Sequence, residues 1–381
     1  MQTIVFLGGG VDSLGIIRRA ARMGLKCVVV DGDPHAPAFK FNDVVPVIRS
    51  CYEPWETLEG LARTKIKPSA VLCAGVDAPH IMSAIASHYD LVGPSQSAAN
   101  FSRHKWAQKK LLASAGVNVP VFLAMEKHLL PMEVNQDSVI KPVDSRGARG
   151  VIRFKKGDTI TVDHYHESMR ARSYRAIHDV MMEVWVDGPQ LSSESIVQDG
   201  EILFTAFAER NYDKLDKYAP YVIEDGSLCP PDIQAYYEND WRHKADAELQ
   251  KCVEALGFKN GTIKGDLVWD GDKIWVIEVA LRLSGGRFCS DIIPRAYNVD
   301  FVGMAIRMAL GDKIWPGEIM PRMNGYLAQR FEFPIRDVRC HPDRGKSFLA
   351  WGGYPGEAIG RVEEMVYEYT RKRLATMEEC N

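Results

Sequence analysis

Residues 265–287, reading GDLVWDGDKIWVIEVALRLSGGR, constrain the fold most. Leu267, Val268 and Trp269 precede Asp270-Gly271-Asp272, and a mostly apolar run over 274–279 follows. Two strand-forming runs joined by so short a glycine turn predict an antiparallel hairpin. Asp266 lies near the start of its first strand and Glu278 near the end of its second. Closing the hairpin at Gly271 therefore brings both carboxylates to one end of the ladder. Arg282 and Gly285-Gly286 follow directly. Two convergent carboxylates suit Mg²⁺, which takes hard oxygen ligands and completes its shell with water and phosphate. A solvated surface turn explains the same residues equally well, so the rest of the chain has to decide.

A chain of 381 residues implies two or three domains. With 46% hydrophobic and 25% charged residues it has the make-up of a soluble globular enzyme. A net charge of −3 gives no reason to expect nucleic acid or an anionic membrane as partner. No apolar run reaches membrane-spanning length, and the start runs into an apolar strand with no basic leader, unlike a signal peptide. Eight cysteines without C-x-x-C spacing favour reduced thiols in a cytoplasmic protein. His164 and His166 read as solvated side chains of a loop and not as a metal site.

Strands are predicted at 3–7, 25–31, 44–47 and 70–73, with helices at 13–23, 55–64 and 78–88. That alternation predicts a parallel sheet with helices on its faces. Gly8-Gly9-Gly10 after the first strand opens a helix N-terminus, which suits an anion. Gly8, Gly10 and Asp31 fit part of a dinucleotide fingerprint, but Ser13 replaces its third glycine. The run Gly8 to Ser13 (GGGVDS) also resembles the SGGxDS pyrophosphate loop of adenylate-forming ATP pyrophosphatases. A tight strand–helix turn is the commoner explanation of such a short motif.

One helix is predicted over 102–115, then a strand over 138–142 that ends in Lys141-Pro142. An ammonium at the end of an apolar strand needs an anion, because its burial is otherwise costly. Residues 144–150 (DSRGARG) form a glycine-interrupted turn whose N–H groups can fold over phosphates. A strand over 180–186 runs into Asp187-Gly188-Pro189, a hairpin spans 191–208, and the polar stretch 211–226 reads as a mobile loop. Helices over 240–256 and 299–310 flank the opening hairpin. A further strand and hairpin and an amphipathic segment close the chain.

In this order, two lysines, a glycine flap, a strand running into Gly-Pro and a late pair of acids resemble the ATP-grasp superfamily. The likeness is closest to its carboxylate–amine ligases, in the amino-acid and dipeptide branch, and it covers about residues 1–320. It implies a multidomain α/β and α+β fold. A Rossmann-like domain (1–95) and a linker helix (96–117) would precede a two-lobed ATP-grasp fold. The lobes are a small lid (118–188) and a large metal-binding half (189–320), with a C-terminal extension (321–381). The resemblance makes Lys105 and Lys141 phosphate contacts and puts Ser145, Gly147 and Gly150 in the flap. The adenine hinge falls on residues 183–190, with Glu183 and Val186 facing the base and Gln190 in place of the usual ribose-binding glutamate. Asp266 and Glu278 become ligands of Mg²⁺ (or Mn²⁺), and Arg282 stands beside the reacting groups. Ala280 replaces the asparagine that often completes the metal shell, and Lys264 is the basic residue before the first acid.

The resemblance implies an ATP-dependent ligase that joins a small carboxylate to an amine through an acyl phosphate, releasing ADP and phosphate. Gly9, Gly10, Arg282, Ser284 and Arg287 become candidates for the non-nucleotide substrate, with Arg210 and Lys214 on a closing loop. Two alternatives stay open: an adenylate-forming enzyme using Gly8 to Ser13, and a non-catalytic nucleotide-dependent metabolite-binding protein. A nicotinamide oxidoreductase leaves everything after Lys105 unexplained. Residues 325–381 suit either an acceptor pocket or a homodimer interface.

Overall fold

Strands β1 (Thr3–Leu7), β2 (Lys26–Asp31), β3 (Val44–Ile48) and β4 (Ala70–Cys73) form a parallel sheet in the order β3-β2-β1-β4. Every residue of β1 and β4 is buried, which is why they read as unbroken apolar runs. Helices α1 (Leu14–Arg22) and α2 (Pro54–Arg63) connect β1 to β2 and β3 to β4, and α3 (Pro79–Tyr89) follows β4. The turn after β1 requires glycine at its first position. Gly8 has φ +94°, and a Cβ there would lie 2.6 Å from Val76 Cγ1. The structure, a computed structural model, describes residues 1–145, 147–172, 180–232, 240–333 and 345–379.

The single helix expected over 102–115 is two, α4 (Gln96–Arg103) and α5 (Lys105–Ser114). His104 is extended between them and caps α5, its ring nitrogen accepting the Ala107 N–H at 3.3 Å. Capping chemistry overrode helical periodicity there.

The lid comprises β5 (Phe122–Ala124), β6 (Met132–Glu133), β7 (Ser138–Pro142), β8 (Ile152–Phe154), β9 (Thr159–Ile160), α6 (Val162–Arg170) and β10 (Val180–Val184). Its main sheet has the order β5-β10-β7-β8, with Ile140, Ile152, Phe154, Tyr165 and Val180 in a small core of its own. His164 and His166 sit on α6 and not in a loop. His164 serves the helix start, its Nδ1 accepting the Thr161 N–H at 3.2 Å. Strand β10 stops at Val184, two residues before the expected end, although the Trp185 N–H still donates to Asp137 O (2.9 Å) in line with its pairing to β7.

The large sheet has seven strands, built from β11 (Gln190–Gln198), β12 (Glu201–Asn211), β13 (Gly226–Cys229), β14 (Gly261–Trp269), β15 (Ile274–Ala280), β16 (Tyr326–Phe331) and β17 (Ser347–Gly352). Their order is β15-β14-β11-β12-β13-β16-β17, antiparallel throughout. The sheet therefore takes in strands from both sides of the expected boundary at 320/321. Helix α7 (Trp241–Leu256) packs on it through Leu249 and Val253, and α8 (Ile293–Tyr297) and α9 (Phe301–Ala309) follow β15. Helix α10 (Pro355–Glu379) packs through Ala358 and Val362 on Phe348 and Ala350. The stretch 211–226 is no open loop. Its Tyr221 hydroxyl donates to Glu167 on α6 (2.6 Å), and Pro220 O accepts the Arg153 N–H of β8 (2.7 Å).

The N-terminal sheet and the large half share one core, which runs from Ile4, Phe6 and Ile16 to Ile292, Phe301 and Ile306. The chain leaving β15 also bonds to the end of β4. Leu283 N–H donates to Cys73 O at 3.3 Å, and its carbonyl accepts Gly75 N–H at 3.4 Å. That junction places Arg282 between the two units. Among the described residues no helix is long and apolar enough to cross a membrane. Their six cysteines are buried and form no disulfide, and none is part of the site below.

Candidate active site

Asp266 and Glu278 are direct cross-strand partners in the β14–β15 ladder, with a register shift just after Asp266. Both line a deep cleft between the lid and the large sheet. Neither carboxylate is bare. Lys264 and Arg210 each donate to Asp266 Oδ1, and Lys105 Nζ lies 2.5 Å from Glu278 Oε2. Desolvation works to raise the Glu278 carboxyl, but the ammoniums of Lys105, Lys264 and Lys141 more than offset it and hold the group well below the usual range. Desolvation likewise lowers Lys105, and Glu278 reverses the shift. Among the described residues no three His, Cys, Asp or Glu side chains gather to hold a metal alone. Two oxygen-bearing side chains facing a cleft fit Mg²⁺ that draws its other ligands from phosphate and water.

The two lysines meet the cleft from different elements. Lys105 begins α5, and its N–H donates to Val143 O just past β7 (2.7 Å). Lys141 is buried on β7, its Nζ 2.8 Å from Glu183 Oε2 on β10. Ser145 and Gly147 line the cleft, as do Glu183, Val186 and Gln190. Gly150 does not. A Cβ on it would lie 2.7 Å from both Ala171 Cβ and Ser168 O, so this glycine lets the flap pack on α6. Arg146 of the flap lies outside the described residues.

A second cavity adjoins the first and shares Lys105, Ser145 and Glu278 with it. Asp77 and Arg282 stand on its other side, joined by a hydrogen bond from Arg282 Nε to Asp77 Oδ1. Desolvation alone would lower the Arg282 guanidinium, and Asp77 more than offsets it. Gly9, Gly10, Ser284 and Arg287 line neither cavity. The Gly9 N–H is held by Asp31 Oδ2 (2.7 Å), and Arg287 pairs with Asp291 (2.9 Å). Ser13 Oγ donates to Ala74 O at 2.5 Å, and Asp12 accepts the Gly286 N–H at 3.0 Å. The glycine turn is thus docked against residues 284–287, and its Ser13 hydroxyl serves the fold. Of the closing-loop pair, Arg210 reaches the site from β12, while Lys214 N–H donates to Asp225 (2.8 Å) away from it.

Sequence reasoning missed two buried side chains. Lys109, one turn after Lys105, is 1% exposed, with Nζ 3.1 Å from Glu183 Oε2 and 3.2 Å from Val276 O. Burial lowers its pKa to about 8. Gln108 grips β15, the edge strand that carries Glu278. Its amide donates to Val279 O (2.8 Å) and its carbonyl accepts the Val279 N–H (2.9 Å). The spacing from Lys105 was the available signal, but polar residues inside a helix ordinarily face solvent.

The sequence profile described as ATP-grasp domain matches residues 102–286. Residues 102–286 form an ATP-grasp domain. The L-amino acid ligase of Bacillus licheniformis superposes with a TM-score of 0.74 over 96% of each chain, at 18% identity. Phosphoribosylglycinamide synthetase of Anaerococcus prevotii gives 0.70, at 14% identity over 96% of this chain and 98% of that one. The ADP complex of purK, N5-carboxyaminoimidazole ribonucleotide synthetase, gives 0.71 at 14% identity over 97% of each chain. At these identities the likeness is one of fold, and it extends to both sides of the ATP-grasp domain. Uncharacterized protein y4rH of Sinorhizobium fredii is 27% identical over 237 residues, which is 60% of this chain. The chain spans about half the length of that curated relative, 46% of it.

Proposed function

We propose that the protein is an ATP-dependent carboxylate–amine ligase that forms an amide through an acyl phosphate. The observation that carries the reading is the junction of the two cavities at Lys105, Ser145 and Glu278. A nucleotide lying along the hinge at 183–190 would present its terminal phosphate at that junction. A carboxylate entering from the Asp77–Arg282 side would meet it there. Lys105 and Lys141 would hold phosphate oxygens, and the flap would exclude water that hydrolyses an acyl phosphate. Mg²⁺ held by Asp266 and Glu278 would supply charge neutralisation as phosphoryl oxygens gain charge.

In the first step a substrate carboxylate oxygen bonds to the γ-phosphorus and the bond to ADP breaks. In the second, the amine nitrogen bonds to the acyl carbon, phosphate leaves and the amine gives up a proton. Arg282 faces the cavity where negative charge would enter, and its pairing with Asp77 fixes the guanidinium in place. The adenylate-forming reading loses support from the Gly9 and Ser13 contacts, which occupy groups that reading would need.

A panel of amino acids and small carboxylic acids, assayed for substrate-dependent release of ADP and phosphate, tests the proposal. Release of AMP and pyrophosphate would instead favour an adenylate-forming enzyme. Glu278→Gln turning over as fast as the wild type would sink the ligase reading.

A further inference from the structure

Residues 281–287 carry Arg282 and the glycine pair, and they are gripped from several elements. Ser102 Oγ accepts the Leu281 N–H at 2.9 Å, Asp12 holds the Gly286 N–H, and Gln329 Nε2 donates to Gly286 O at 2.8 Å. The Ser284 N–H is bound by Glu194 Oε1 at 2.7 Å. Glu194 differs from the other grips. It sits in the middle of β11, 0% exposed, opposite Lys264 on β14 and Ala206 on β12. Its second oxygen, Oε2, and the Ser284 hydroxyl make no hydrogen bond of good geometry among the described residues, though the serine side chain lies near enough to draw the carboxyl down.

Burying a carboxylate with one oxygen unsatisfied costs stability that a serine or an amide at the same place would avoid. Burial pushes this carboxyl up to about 7, while Ser284, Arg282 and Lys264 draw it back. A shape-filling role for Glu194 leaves that cost without a return. A role in fixing the Arg282 loop supplies one. The loop changes direction at Gly285, where an added Cβ would lie 2.7 Å from Asp12 Oδ2, so its path tolerates little displacement. The Ser284 N–H lies two residues after Arg282, so its hydrogen bond acts on the same short segment that the Leu283 backbone bonds and Asp77 hold at the second cavity.

We infer that Glu194 is a positioning residue for the non-nucleotide substrate: by holding the Ser284 N–H it sets the placement of Arg282, without touching the nucleotide cleft. The inference rests on the ligase reading for its substrate arm only. Hydrogen exchange of the peptide spanning 281–287 is compared in the full-length wild type, Glu194→Ala and Glu194→Gln, with the β14 peptide as internal control. Loss of one buried hydrogen bond predicts roughly tenfold faster exchange in 281–287 for Glu194→Ala. Exchange in β14 stays unchanged, and Glu194→Gln, whose amide oxygen still accepts, restores protection. MgADP binding stays within about twofold in all three. Where the panel yields a substrate, its KM rises in Glu194→Ala and recovers in Glu194→Gln, while the KM for ATP does not move. Should Glu194→Ala not fold, Glu194→Asp, which withdraws the carboxylate by one methylene, takes its place.

Unchanged exchange in 281–287, failure of Glu194→Gln to restore it, or an equal loss of MgADP affinity each overturns the inference. A wild type that releases no ADP with any compound of the panel counts against the ligase reading, and the exchange measurement still decides the grip.

Discussion

Asp266 and Glu278 face each other across the β14–β15 ladder, and each is already engaged by cations, Lys264 and Arg210 on one side and Lys105 on the other. An anion rich in phosphate is the natural competitor for those cations. On the proposed reading, Lys105 turning to a phosphate oxygen would leave Glu278 available to a divalent ion. Nucleotide and metal binding should therefore strengthen each other.

Calorimetric titration of ADP with and without Mg²⁺ checks that coupling. Wild-type affinity should rise with Mg²⁺, and Glu278→Gln should lose most of the gain. The two variants Glu278→Gln and Asp266→Asn keep the shape of the cleft, so an undiminished Mg²⁺ effect in both would remove these side chains from the metal site.

Glu183 answers two buried ammoniums at once, Lys109 and Lys141, and is itself 2% exposed. Glu183→Ala should cost about 3–5 kcal/mol, the range for stranding a buried charge. Urea unfolding measures it. A variant as stable as the wild type would mean that both lysines find other anions or shed their protons.

The pH dependence of stability has a defined sign at Glu194. Its carboxyl is raised from 4.5 to about 7 in the folded chain. The folded state therefore holds more protons than the unfolded state between those values. That contribution is full below pH 4.5 and is lost as pH rises through 7. The groups facing Glu194 are Ser284, Arg282, Lys264 and Cys289, and burial pushes the Cys289 thiol well up. Glu209, also raised to about 7, acts in the same direction, so the difference between wild type and Glu194→Gln isolates the one group. Thermal unfolding from pH 4.5 to 8 should show a shallower fall in stability for Glu194→Gln.

Gln108 holds the edge strand that carries Glu278. Glu278 precedes Val279 directly, so both hydrogen bonds of the Gln108 amide act next to it. Gln108→Ala should lower stability by about 1–3 kcal/mol and speed exchange at the Val279 N–H. Gln108→Glu should be worse than Gln108→Ala, because it would bury a carboxylate oxygen directly against the Val279 carbonyl oxygen with no donor between them. An unaltered exchange rate at Val279 would contradict the grip.

The ordered motifs were legible because each depends on local chemistry. The apolar runs of β1 and β4, the Asp270-Gly271-Asp272 turn and the Gly-Pro after β10 are set by residues within a few positions of one another. Closing the hairpin at that turn puts Asp266 and Glu278 at one end of the ladder, while the register shift just after Asp266, which sets the two directly opposite, was not legible. The helix break at His104 was harder to read, since a cap competes with periodicity at a single residue. Lys109 and Gln108 were illegible for another reason. A polar side chain in a helix is burdened or useful according to what packs on it, and β10 and β15 lie far away in sequence.

By itself the sequence determined the order of elements, the ATP-grasp resemblance and the presence of the two acids at one end of a hairpin, because turn chemistry and strand propensity act over short range. Only the tertiary structure decided which cations those acids meet and which side chains hold the Arg282 loop. It brought Lys105 to Glu278, Arg210 to Asp266, Asp77 to Arg282 and Glu194 to Ser284. Those contacts join residues 56 to 205 positions apart. Their energies depend on burial and proximity, which exist only once the sheets have packed.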